Sequence, residues 1–206
     1  DLHSFPTRRS SDLHIDGGTP LILSDALPRP HTVAAARQGP HFRVVVISTY
    51  AGDEPLAEIV AAAARFDDDV RVFVTGNSAK CPADIRDRLP GNVTLTGFLS
   101  EADYWQLLAS SDAIIDLTTM DHCLVCGAYE GISLGKPLLL SDNAASVTLF
   151  ADFAEFVSND SASIAAGLRR LRERIPDLTR DAAMNRERFQ ARWQIDADQL
   201  RRFIAR

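Results

Sequence analysis

DAIIDLTTMDHCLVCGAYEGISLGKPLLLSD, running from Asp112 to Asp142, decides the fold. Its opening, DAIIDLTT, is a short apolar run closed by threonines, and PLLLSD repeats the pattern at the far end, as strands covered on both faces do. Between them a helix is expected from near Leu124. It stops at LGKP, where Gly135 supplies the left-handed C-cap. A strand, a helix and a strand so closely joined predict one βαβ unit with parallel strands.

The same alternation extends in both directions. Upstream lie a strand FRVVVIST (Phe42 to Thr49), an Ala-rich helix EPLAEIVAAAARF (Glu54 to Phe66), a strand DVRVFVTGN and a short helix PADIRDRL opened by Pro82. NVTLTGF is a third strand, and SEADYWQLLASS a helix with Ser100 at its N-cap and acidic residues in its first turn. Downstream come a helix near Ala145 to Ala151, a strand AEFVS and a long helix beginning SASIAAGLRRLRER. Strict alternation with buried strands predicts an α/β, doubly wound parallel sheet of the Rossmann-like kind, with expected strand order 3-2-1-4-5-6. That domain is assigned to residues 41–176. Residues 177–206 are read as Arg-rich, amphipathic C-terminal helices with a solvated face.

Residues 14–40, rich in Gly, Pro and scattered polar groups, read as an inter-domain linker or docking strand. The first thirteen residues, DLHSFPTRRSSDL, back-translate into something resembling the adapter oligonucleotide of short-read sequencing libraries. Asp1 to Leu13 are therefore expected to be a cloning or assembly artefact, and the chain a C-terminal fragment of a longer protein.

The 206 residues are 46% hydrophobic, enough for one well-packed α/β domain. A net charge of −6 provides no positive field for nucleic acid, so no nucleic-acid partner is expected. No apolar run approaches the ~20 residues that span a bilayer, and a cytoplasmic location is expected. Cys81, Cys123 and Cys126 are expected to be reduced.

Ligands of open α/β sheets bind beyond the carboxyl ends of the strands, where strand order reverses. With the expected order, STYAGDEP after the first strand and TTMDHC after the fourth meet at that crevice. The helix after the fourth strand aims its N-terminal amides there, a place for phosphate. Glu130 shares a helix face with Cys126, Gly127, Ser133 and Leu134 by i±3 and i±4 spacing. Its carboxylate is placed to accept hydrogen bonds from a ribose, and Gly127 to let a ligand near the backbone.

NVTLTGFLSEADYWQLLASSDAIIDLTT followed by YEGISLGKPLLLSD resembles the C-terminal, nucleotide-sugar-binding domain of GT-B fold glycosyltransferases of the group 1, or family 4, type. The resemblance covers Arg43 to Arg172. It implies one half of a GT-B enzyme, in which Glu130 grips the nucleotide ribose and Gly97, Phe98 and Leu99 meet the base through backbone groups. It implies a nucleoside diphosphate sugar as donor substrate, no metal or other cofactor, and hexosyl transfer to a saccharide or lipid-linked acceptor held by an N-terminal domain. Peripheral membrane association of the intact enzyme is compatible with it.

Two positions depart from the family pattern. A Glu eight residues before the ribose Glu is replaced by His122, with Asp121 beside it. The Arg and Lys that neutralise the diphosphate are replaced in STYAGDEP by Ser48, Thr49 and Tyr50. His122 is thus the candidate catalytic group, and Ser48, Thr49, Asp121, Cys126 and Ser133 complete the candidate site.

Blander roles stay open. Glu130 would pair with Lys136 or solvent, His122 or Asp121 would cap the helix, Phe98 would pack partly in the core, and Ser48 and Thr49 would merely end a strand. Two other functions compete: a non-catalytic nucleotide-binding or assembly module, and a dithiol oxidoreductase using Cys123-x-x-Cys126 at a helix start.

Overall fold

The computed structural model describes residues 23–30, 39–67 and 69–205. The segment expected to be an artefact, and residues 14–22 and 31–38 of the expected linker, lie outside the described residues.

Six strands, β1 (Phe42–Val46), β2 (Val70–Thr75), β3 (Val93–Gly97), β4 (Ala113–Asp116), β5 (Leu138–Ser141) and β6 (Ala154–Val157), form one sheet in the order β3-β2-β1-β4-β5-β6. Every pairing is parallel, with Val44 set against Val72 on one side and Ala113 on the other. The doubly wound α/β order expected from the sequence is therefore the order observed. The crossover from β3 back to β4 beside β1 creates the switch point.

The apolar runs are continuous because both faces are covered. Val44, Val46, Ile115 and Leu139 enter one core with Leu56, Ile59 and Val60 of helix α1 (Leu56–Ala63) and with Ile164, Leu168 and Leu171 of helix α6 (Ser161–Ile204). Val45, Ile114, Leu138 and Leu140 enter the other, with Trp105 and Leu108 of α3 (Glu101–Ser110), Tyr129 and Ile132 of α4 (Cys126–Leu134), and Phe150 of α5 (Ala144–Phe150). The short α2 spans Ala83–Arg86.

Caps fix where several helices begin. Ser100 Oγ accepts from the Asp103 amide, Asn143 Oδ1 from that of Ser146, and Asp160 Oδ1 from those of Ala162 and Ser163. Gly135 ends α4 at φ 66°, in the left-handed region foreseen for it. Helix α4 has no side-chain cap at its own N-cap, Val125. This corrects the capping roles considered for Asp121 and His122, both of which lie in the exposed turn before the helix.

Helix α6 corrects the expectation of separate helices after residue 176. It is one helix of 44 residues that passes through Pro176. Ile175 and Leu178, on either side of the proline, pack on the first core and Phe189 enters the second, so buried contacts continue past the missing amide. Phe189 stands 6.0 Å from Tyr129 and 6.1 Å from Phe153, ring centre to ring centre. Before the proline, Arg170 and Arg174 both bond the buried carboxylate of Glu155 on β6, and Arg172 reaches Asp69 at 2.5 Å. In the Arg-rich stretch beyond it, Arg180 and Arg201 pair with acids of their own helix on its exposed side, while Arg186 donates to the Ser133 carbonyl of α4.

Candidate functional site

The loops after β1 and β4 meet, as the strand order requires. Thr118 Oγ1 donates to Asp53 Oδ2 at 2.8 Å, and the Thr119 amide donates to the Asp53 carbonyl at 2.7 Å. Beside this latch lies a cavity of about 530 Å³, lined by Ser48, Thr49, Phe98, Leu99 and Tyr104 among others. Four residues singled out in the sequence, from two loops, thus share one wall with a tyrosine from α3. Gly97, at φ 71°, supplies the left-handed turn before Phe98. Phe98 is 87% exposed, which corrects its expected half-burial in the core: its ring is offered to the cavity and to solvent.

Glu130 is half-buried, and its protein partner is Tyr104, whose hydroxyl donates to Oε2 at 2.5 Å. Lys136, the alternative partner, instead donates to the Ser111 carbonyl at 2.7 Å. Burial raises the Glu130 carboxyl above its usual range, the Tyr104 bond pulling the other way, while burial and the adjacent Glu130 charge hold the Tyr104 hydroxyl protonated. Among the described residues Oε1 of Glu130 has no hydrogen-bond donor, so one face of the carboxylate can accept from a ligand.

The N-terminus of α4 is already engaged. Asp116, at the carboxyl end of β4, accepts the Gly127 amide at 2.8 Å through Oδ2. Burial raises its carboxyl well above the usual range, and Glu130, Glu54 and Asp53 add to the rise. Gly127 is buried, and a Cβ there would stand 2.4 Å from both Asp116 Oδ2 and Ile47 Cδ1, so the close approach it permits is that of α4 to the sheet.

Ser48 and Thr49 are engaged too. Ser48 Oγ, Thr49 Oγ1 and the amides of Thr49 and Tyr50 all donate to the Glu54 carboxylate, at 2.5, 2.6, 2.8 and 3.0 Å. Tyr50 and His122, one in each loop, both hold positive φ, 60° and 62°, a conformation uncommon outside glycine.

The remaining candidates are dispersed. His122 and Asp121 are exposed and make no hydrogen bond among the described residues. Ser133 Oγ bonds the Glu130 carbonyl and its own carbonyl accepts from Arg186 of α6, so it belongs to the far end of α4. Cys126 is exposed and Cys123 half-buried, both as free thiols. Burial raises both, helped by Asp116 at Cys126 and by Asp53 at Cys123, the reverse of what a dithiol nucleophile requires. Among the described residues no group of three His, Cys, Asp or Glu is placed to hold a metal.

Sequence reasoning missed Tyr104, Asp116 and Glu54. Asp116 carried a signal, an acid inside an otherwise apolar buried strand. Glu54 lay within STYAGDEP, where the missing cations drew attention and the acid that is present did not.

No family profile and no curated protein sequence matches the chain. Solved structures do. The Anabaena protein HepE in complex with UDP is similar over 81% of this chain and 49% of its own, at TM-score 0.66 and 16% identity. Sucrose-phosphate synthase from Thermosynechococcus elongatus is similar over 82% and 46%, at 0.63 and 16%. A glycosyltransferase from Rickettsia africae is similar over 75% and 44%, at 0.64 and 15%. The chain spans less than half the length of each. Its fold is that of one Rossmann-like domain of the GT-B glycosyltransferases.

Proposed function

We propose that the chain is the donor-binding half of a nucleotide-sugar-dependent glycosyltransferase. The observation that carries this reading is the half-buried Glu130 carboxylate, held by Tyr104 at the rim of a cavity that Ser48, Thr49, Phe98 and Leu99 line. A nucleobase against Phe98 and Leu99 would bring its ribose toward Tyr104, and Glu130 would accept from the ribose hydroxyls. In the intact enzyme a hexosyl group would pass to a saccharide or lipid-linked acceptor held by a second domain. His122 is placed by sequence to act near the sugar. The reading includes a cytoplasmic setting, in keeping with three free thiols, and 206 residues that bind nucleotide weakly and transfer nothing alone.

Calorimetric titration of UDP, GDP and ADP tests it. One nucleotide is expected to bind, and Glu130→Ala to weaken it about tenfold, the scale of a lost hydrogen bond to a charged group. The absence of heat with every nucleotide would favour a second reading, a non-catalytic assembly module. One observation supports that alternative: among the described residues the cavity wall contains no Lys or Arg, and the Glu54 carboxylate already occupies the donors of the adjoining loop.

A further inference from the structure

We propose that Glu54 is the specificity-determining residue of the crevice: its carboxylate fills the anion cradle of the loop after β1, so base and ribose, and not the diphosphate, supply this half's affinity for a nucleotide. The inference rests on the nucleotide-binding reading above.

Two backbone amides and two hydroxyls converge on one carboxylate at 2.5 to 3.0 Å, the donor set a phosphate group would use. The cradle is built rather than accidental. Tyr50 holds φ 60° to turn its amide inward, and Gly76, at φ 97°, lies where a Cβ would stand 2.2 Å from the Ser48 carbonyl. The loop is tied across the crevice by the bonds from Thr118 and Thr119 to Asp53. The second anion position at the switch point, the α4 amide of Gly127, also holds a carboxylate, that of Asp116.

A phosphate entering the loop would have to displace Glu54 and remain beside its charge, with Asp53 in the same loop. Among the described residues no Lys or Arg lines the cavity to offset that repulsion. The side of the cavity made by Phe98 and Leu99 carries no such obstacle. The same carboxylate that orders the loop therefore sorts the two ends of a nucleotide.

The test compares uridine with UDP, the nucleotide bound in one of the similar structures. Both are titrated calorimetrically into the unaltered chain and into Glu54→Gln and Glu54→Ala, with thermal melting to show that each variant folds. The unaltered chain is expected to bind the two ligands within about threefold of each other. Both variants are expected to gain about tenfold for UDP with uridine unchanged. UDP binding the unaltered chain about tenfold more tightly than uridine overturns the proposal, as do folded variants that show no gain. That first comparison needs no variant and decides the matter if neither variant folds. Should neither ligand bind any form, phosphorus NMR of inorganic pyrophosphate separates the two ideas. Broadening with the variants but not with the unaltered chain keeps the cradle and removes the nucleotide reading, and any other pattern removes both.

Discussion

Asp116 shows how one side chain serves both the fold and the site. Its carboxylate caps α4 from outside the helix, replacing the cap that Val125 cannot provide, and it is buried while doing so. Its folded-state proton affinity lies well above the unfolded value of 3.8, chiefly through burial. The folded chain therefore binds more protons than the unfolded chain over the pH range that begins near 3.8. Its contribution is greatest below that point and is lost as pH rises through the folded-state value. Burial shifts Glu130 in the same direction, so the two add. Asp116→Asn keeps an oxygen for the Gly127 amide and removes the ionisation. It is expected to flatten the dependence of stability on pH and to stabilise the chain at pH ~8 by roughly 1–3 kcal/mol, the scale of a buried group that has lost its hydration. Urea denaturation at pH ~5 and ~8 reads this directly, and an unchanged slope between the two would remove Asp116 as its source.

At the scale of elements, α6 departs most from its sequence reading. The boundary placed at residue 176 and the arginines that follow implied separate helices with a solvated face, yet one helix continues and brings Phe189 into the second core. Its far half also fixes part of the linker: Trp193 Nε1 donates to the Ser24 carbonyl at 2.8 Å, and Leu27 packs against the same core. Phe189→Ala is therefore expected to cost about 3–5 kcal/mol, as a buried aromatic does, rather than the few tenths of a residue on a solvated face. Chemical denaturation monitored by far-UV circular dichroism measures it. A loss below about 1 kcal/mol would return the segment beyond Pro176 to the status of an appendage.

Across the whole molecule, net charge of −6 and the Glu54 and Asp53 carboxylates of the loop after β1 give the crevice a negative field. Nucleoside diphosphate binding should therefore strengthen as salt rises from about 10 to about 150 mM, because screening relieves repulsion. A cation-lined diphosphate site responds in the opposite sense, and titration at the two salt concentrations distinguishes them. The order and parallel sense of the strands were legible in the sequence: runs such as FRVVVIST and PLLLSD read as strands covered on both faces, and one helix between successive strands leaves few ways to wind the sheet. Ser100 and Gly135 were legible for the same reason, since caps are decided by neighbours a few residues apart. The chain alone thus determined the frame, the switch point and the position of Glu130 on α4. Only the folded structure decided what Glu130, Ser48, Thr49 and Gly127 touch, because their partners Tyr104, Glu54 and Asp116 come from loops and helices whose meeting depends on packing, and no periodicity records which carboxylate reaches which amide.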